Sequence, residues 1–199
     1  MVPELIILAL LIGWIIGGKF SRLADLQIKH GWIIFFAVVI YAIGLRMAYL
    51  PFMSHHRWIF GALHLSSIAA YIFLMISNAK LPGTKLITIG LMLNAIAIMA
   101  NGGFMPASSA ALGKVYGHKY VMQTRNAPHF RSSIMDSETK LGALCDIIPL
   151  KLPTRVSSGV YSIGDMWMSA GIFLAVILIM RTPLQQERVA PTEAEIDAV

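Results

Sequence analysis

Five apolar runs of roughly bilayer-crossing length, parted by short charged clusters, constrain this chain more than any other feature of it. A hydrocarbon core about 30 Å thick calls for about 20 apolar residues at a helical rise of about 1.5 Å each. The runs cover residues 3–18, 31–52, 58–77, 86–102 and 163–180. Hydrophobic residues make up 57% of the chain and charged residues 13%, where a soluble domain carries about 25% charged. Too little polar material remains to cover a globule. The expected fold is therefore all-α: an integral membrane bundle of about five transmembrane helices within 1–181. A long, partly structured extracytoplasmic loop spans 103–161, and 182–199 is expected to be a disordered cytoplasmic tail.

Local signals refine the boundaries. Pro51 ends the second run, and Asn101-Gly102-Gly103 with Pro106 ends the fourth. Gly13 and Gly17 lie one turn apart and invite close helix approach, as do Ala62, Ser66 and Ala70 in the third run. Glu4 at the start of the first run and Gly17-Gly18-Lys19 at its end do not fit a cleaved signal, so 3–18 reads as a retained span. Inside the loop, Ser108–Val115 and Ser137–Leu144 read as short helices. Residues 147–153, apolar and proline-punctuated, read as resting on the membrane surface or re-entering it shallowly.

The formal net charge of +6 does not point to nucleic acid, because the cations flank apolar runs and no nucleic-acid motif is present. With the N-terminus outside, the inner side collects Lys19, Arg22, Lys29, Lys80, Lys85, Arg181 and Arg188, and the short outer turn holds Arg57. That asymmetry predicts an N-outside, C-inside orientation, with the long segment outside despite Lys114, Lys119, Arg125, Arg131, Lys140, Lys151 and Arg155, because long loops follow the charge rule weakly. The single cysteine, Cys145, excludes an internal disulfide.

Counting helical rise then puts the costly polar residues at one level near the outer end of the bundle: Arg46, His64, Asn101, Asp165 and Glu4. Asp146 lies in the loop above them. Arg46, His64, Asn101, Asp146 and Asp165 are the expected ligand-binding set. Arg46 would bind an anion or pair with Asp165 or Glu4, and the alternative is that it snorkels to headgroups. His64 reads as a pocket wall or a packed histidine. Asp165 reads as a counter-ion or as a partner of the helix dipole. Asn94 reads as a bond to a neighbouring helix. His55, His56, His64, His118, His129 and Cys145 lack any zinc-ligand spacing, His30 and His64 fall at opposite ends for a bis-histidine haem, and no nucleotide loop or nucleophile elbow occurs. No cofactor or catalytic residue is assigned.

Three stretches carry a resemblance: Ala100-Asn101-Gly102-Gly103-Phe104-Met105-Pro106, Cys145-Asp146-Ile147-Ile148-Pro149-Leu150 and Ser162-Ile163-Gly164-Asp165. Together with the short first span they resemble a bacterial family of small multi-pass membrane proteins recorded as a domain of unknown function. Cys145 stands where that pattern places a glycine before the aspartate. The resemblance implies an inner-membrane location and no assigned activity. Beside the bilayer itself, the expected partner is another membrane subunit or a small ligand held in an outward-facing polar pocket. The alternative is a membrane-embedded enzyme acting on a lipid or quinone-like substrate through His64, Asp146 or Asp165.

Overall fold

The computed structural model describes residues 2–47, 57–126, 132–152 and 158–182. Pro51, His55, His56, His129, Arg131 and the tail from 183 onward lie outside the described residues, so the expectations placed on them rest on sequence alone.

The protein is mostly helical. The five apolar runs become α1 (Val2–Ile15), α3 (Trp32–Met47), α4 (Arg57–Ser77), α5 (Thr84–Ala100) and α8 (Ile163–Arg181), with a single-turn α2 (Ser21–Ala24) after the first. Of these, α8 is long and apolar enough to cross a membrane by itself, and Pro3–Ile15, Gly61–Ser77 and Thr84–Ala100 are shorter apolar helices. Each helix packs mainly on the next in the order α3, α4, α5, α8, α1. The neighbours α3, α4, α5 and α8 alternate in direction, and α1 runs parallel to α8, with Gly13 and Gly18 against Met180 at their shared end.

Small residues set the spacing in these seams. A Cβ on Gly90 would run into the Gly164 carbonyl and Met168, and one on Gly171 into Ile87 and the Gly83 carbonyl. This lets α5 and α8 approach backbone to backbone. At the far end of α5 the helix closes in a Schellman turn: Gly102 N–H donates to the Met99 carbonyl at 3.3 Å and Gly103 N–H to the Ile98 carbonyl at 2.8 Å. Gly102 takes the left-handed φ of +68° that such a turn demands. Gly103, at +93°, has no room for a Cβ because Gly61 of α4 lies against it.

Two sequence expectations for packing are corrected here. Gly17 meets nothing within 4 Å of a would-be Cβ and has φ +85°, so it terminates α1 by a second Schellman turn instead of admitting a helix. Ala62 and Ser66 face outward. The inward side of α4 is instead Gly61, Ser67, Ile68 and Leu74.

The segment between α5 and α8 is a folded cap. It contains β1 (Met105–Ala107), α6 (Ser109–Tyr116), α7 (His118–Asn126), β2 (Ser132–Ile134), a 3-10 turn (Gly142–Leu144), β3 (Ile148–Leu150) and β4 (Gly159–Tyr161). The helix expected over Ser108–Val115 is present as α6. The one expected over Ser137–Leu144 is only the 3-10 turn, preceded by an Asp136–Thr139 side-chain turn that competes with helix formation. Strand β1 pairs in parallel with β2, Met105 opposite Ser132, and β3 pairs antiparallel with β4, Ile148 opposite Tyr161. Residues 148–150 are thus paired within the cap.

Candidate functional site

Asn101 caps α5 and fastens the cap to it. Its Nδ2 donates to the Ala97 carbonyl at 2.8 Å and to the Lys140 carbonyl at 2.9 Å, while its Oδ1 accepts from the Lys140 N–H at 2.9 Å. The side-chain amide thus pairs with a backbone amide as one strand pairs with another. Cys145 lies fully buried beside it, with Sγ 3.6 Å from the Leu141 carbonyl and 3.9 Å from Asn101 Nδ2. Burial, and secondarily the neighbouring Asp146 charge, pushes the Cys145 thiol pKa above its ordinary value.

The next residue continues the fastening. Asp146 N–H donates to the Pro106 carbonyl at 2.9 Å, and the Asp146 carbonyl accepts from Ser108 N–H at 2.9 Å. Asp146 therefore bridges β1 on the side opposite β2. Pro106 has no N–H to give, but its carbonyl is all this bridge needs. One residue later, Ile147 N–H donates to the Tyr161 carbonyl at 3.1 Å. The stretches 100–106, 145–150 and 162–165 are thereby joined at one end of the helices.

Below the cap, Ser162 begins α8 with a capping box. Its Oγ accepts from Asp165 N–H at 3.0 Å, and Asp165 Oδ2 accepts from Ser162 N–H at 2.9 Å. Asn94 of α5 completes the arrangement: its Nδ2 donates to Asp165 Oδ1 at 2.9 Å, and its Oδ1 accepts from Ser162 Oγ at 2.8 Å. Gly164 is required at this crossing, because a Cβ there would collide with the Asn94 side chain. Ser162 is completely buried and Asn94 nearly so. Both of the Asp165 oxygens thus have donors, from its own cap and from α5, in a buried polar seam.

The expected site residues share this end of the molecule but not one plane. His64 is half-buried and one turn along α4 from Gly61, which touches Gly102 and Gly103. Asn101 and Asp146 meet through Cys145 and Pro106. Asp165 lies at the level of Asn94, about 10 Å down α5 from Asn101 at the usual helical rise. Arg46 falls in the last turn of α3, and its side chain lies outside the described residues. Sequence reasoning passed over Tyr161. Its hydroxyl pKa is raised chiefly by burial, with Tyr116, Asp165 and Glu4 adding like charge. It ends β4, directly before the Ser162 cap of α8. Among the described residues, no three His, Cys, Asp or Glu side chains gather as a metal site.

Comparison with known proteins places this arrangement. The model of a family of unknown function, DUF5317, matches residues 25–177, which include all of α3, α4, α5 and the cap. The chain belongs to the DUF5317 family. An uncharacterized protein of Thermotoga maritima is 31% identical to it over 125 residues, 63% of this chain and 68% of that protein. No solved structure matches. In this DUF5317 chain the polar seam and the whole clasp, Asn94 to Asp165, lie within the matched region, while α1 precedes it.

Proposed function

We propose that this DUF5317 chain is a multi-pass protein of the bacterial cytoplasmic membrane that acts as a binding or accessory subunit. Its cap would stand on the outer face, over a polar pocket for a small ligand, a lipid or a partner subunit. The observation that carries this reading is the direction of the largest apolar side chains. Trp14, Ile15, Trp32, Phe35, Trp58 and Ile76 are 60–74% exposed. The side chains of Asn94, Ser162, Ser169, Ser67, Asn78 and Thr84 are buried. Water penalises that distribution, since contiguous exposed apolar surface is uncommon on soluble monomers. Hydrocarbon favours it, because helices there associate through small and polar residues.

Lengths and charges support the same reading. The 19 residues of α8 span about 28 Å, close to a hydrocarbon core of about 30 Å. The shorter helices would be met by local bilayer thinning. Lys19, Arg22 and Lys29 come together with the α8 C-terminus and the α4–α5 turn: Lys19 N–H and Arg22 bond the last carbonyls of α8, and the Lys29 backbone bonds Asn78. This end would be cytoplasmic under the positive-inside rule, which leaves the cap outside. Asn101–Pro106 and Asp146–Pro149 would form the pocket roof, with His64, Tyr161 and the Asn94–Asp165 pair as walls and Arg46 as anion-binding group or second partner of Asp165.

Native mass spectrometry of the full chain released from membranes in mild detergent tests the accessory role. The expected spectrum contains, besides the 21.8 kDa chain, a retained small molecule, lipid or second subunit that Arg46→Ala weakens. A bare chain, unchanged by that substitution, would contradict it.

A further inference from the structure

No aspartate or glutamate occurs between residues 26 and 135. Within that stretch, residues 107–135 carry Lys114, Lys119, Arg125 and Arg131 together with His118 and His129. Much of this segment forms a helical hairpin, α6 and α7 joined at Gly117. Its inner side is apolar: Leu112 and Val121 pack with Ala107, Ile134 and Val160 on the strands. Lys114, Tyr116, His118, Lys119, Met122 and Gln123 are exposed on the hairpin.

The hairpin's place in the fold bears on what these exposed cations meet. Tyr116 stacks on Tyr120 with ring centroids 4.6 Å apart and donates its hydroxyl to the Ser158 carbonyl at 3.2 Å. Helix α6 packs on β4 (Gly159–Tyr161), which leads through Ser162 straight into the first turn of α8, and α1 packs along α8. The hairpin is thus level with the points where two of the proposed membrane helices begin. Tyrosine rings beside lysines at that level match the chemistry of a phospholipid headgroup layer, which combines buried ester and exposed phosphate.

We propose that the α6–α7 hairpin is a docking surface for anionic phospholipid headgroups of the leaflet surrounding α1 and α8. Lys114 and Lys119 engage the phosphates, and Tyr116 and Met122 enter the boundary between headgroup and acyl chain. The proposal rests on the membrane reading above.

The test uses full-length Gln123→Cys, labelled with an environment-sensitive dye and reconstituted in phosphatidylcholine vesicles containing phosphatidylglycerol. Cys145 is fully buried, so the unsubstituted chain serves as the labelling blank. Either lipid is supplied in brominated form at the same mole fraction, and dye quenching reports which one adjoins α7. The expected result is local enrichment of phosphatidylglycerol, about five-fold over its bulk share. That enrichment falls toward one in Lys114→Gln/Lys119→Gln and in high salt. Equal quenching by both lipids would overturn headgroup selectivity. Quenching by neither, with the protein still floating with vesicles, would take the hairpin off the bilayer and point to an acidic protein partner. A protein that does not float with vesicles would remove the membrane reading and this proposal together.

Discussion

At the scale of single residues, Asn101, Cys145 and Asp165 show how polar groups are committed in this fold. Cys145 gives the most direct test. Its thiol pKa is raised by burial and by Asp146, so the folded state holds the thiol proton more tightly than the unfolded state does. The stability this contributes is complete below the ordinary thiol value of 9.0 and is lost as pH rises through the raised folded value. Thermal melts in detergent should therefore weaken above about pH 9, and Cys145→Ala should flatten that alkaline loss while lowering the neutral-pH midpoint through the cavity it leaves. A wild-type alkaline profile identical to that of the variant would deny the effect. Part of this residue-level picture is legible in the sequence. An asparagine within an apolar run must find a partner, and Asn94 finds Asp165 and Ser162 on α8. The partner of Asn101 is not legible, because it is the backbone of Lys140, 39 residues away. The same holds for Asn78, whose side chain pairs reciprocally with the Lys29 backbone at the opposite end of the α4–α5 hairpin. A backbone partner leaves no mark on residue type.

At the scale of elements, helix existence follows from apolar length, and helix contacts follow from where small residues fall. Each of the five long helices falls largely within one apolar run of the hydropathy pattern, which Pro, Gly and charge punctuate. The working face of α4 is not, because Gly61 and the Ala62–Ser66 stripe are equally small and only the approach of Gly103 decides between them. Helix α7 is also hidden. Its sequence, HKYVMQTRN, has too few apolar residues to show a period, and the burial of Val121 and Thr124 against the cap holds it. Three-residue strands around Pro106 and Pro149 likewise lack an alternating pattern and owe their form to pairing between distant segments. The α4–α5 junction yields a graded prediction. Gly102→Ala meets open space but a left-handed φ, and should cost about 1–2 kcal/mol. Gly103→Ala adds a collision with Gly61 and should cost clearly more, lowering the detergent melting midpoint further. Equal losses would mean that the α4–α5 approach is looser than described.

For the whole molecule, the sequence discloses the class of fold and the end at which its polar residues gather, but no reaction. The physical reason lies in how those residues are used. Asn94, Asn101, Ser162 and Asp165 bond one another and the backbone, so the interactions that make them noticeable in an apolar chain also hold the cap on the helices. A ligand leaves no equivalent signature in residue type. What the structure adds is a cap fixed at one end of a row of helices whose outer faces are apolar. The most direct test is side-specific labelling in intact cells. Lys114→Cys in the cap and Lys80→Cys in the α4–α5 turn, both exposed, would each be treated with a membrane-impermeant maleimide. The expected result is labelling of Lys114→Cys in intact cells and of Lys80→Cys only after permeabilisation. Equal labelling of both before permeabilisation, or protection of Lys114→Cys with exposure of Lys80→Cys, would contradict a membrane protein with its cap outside.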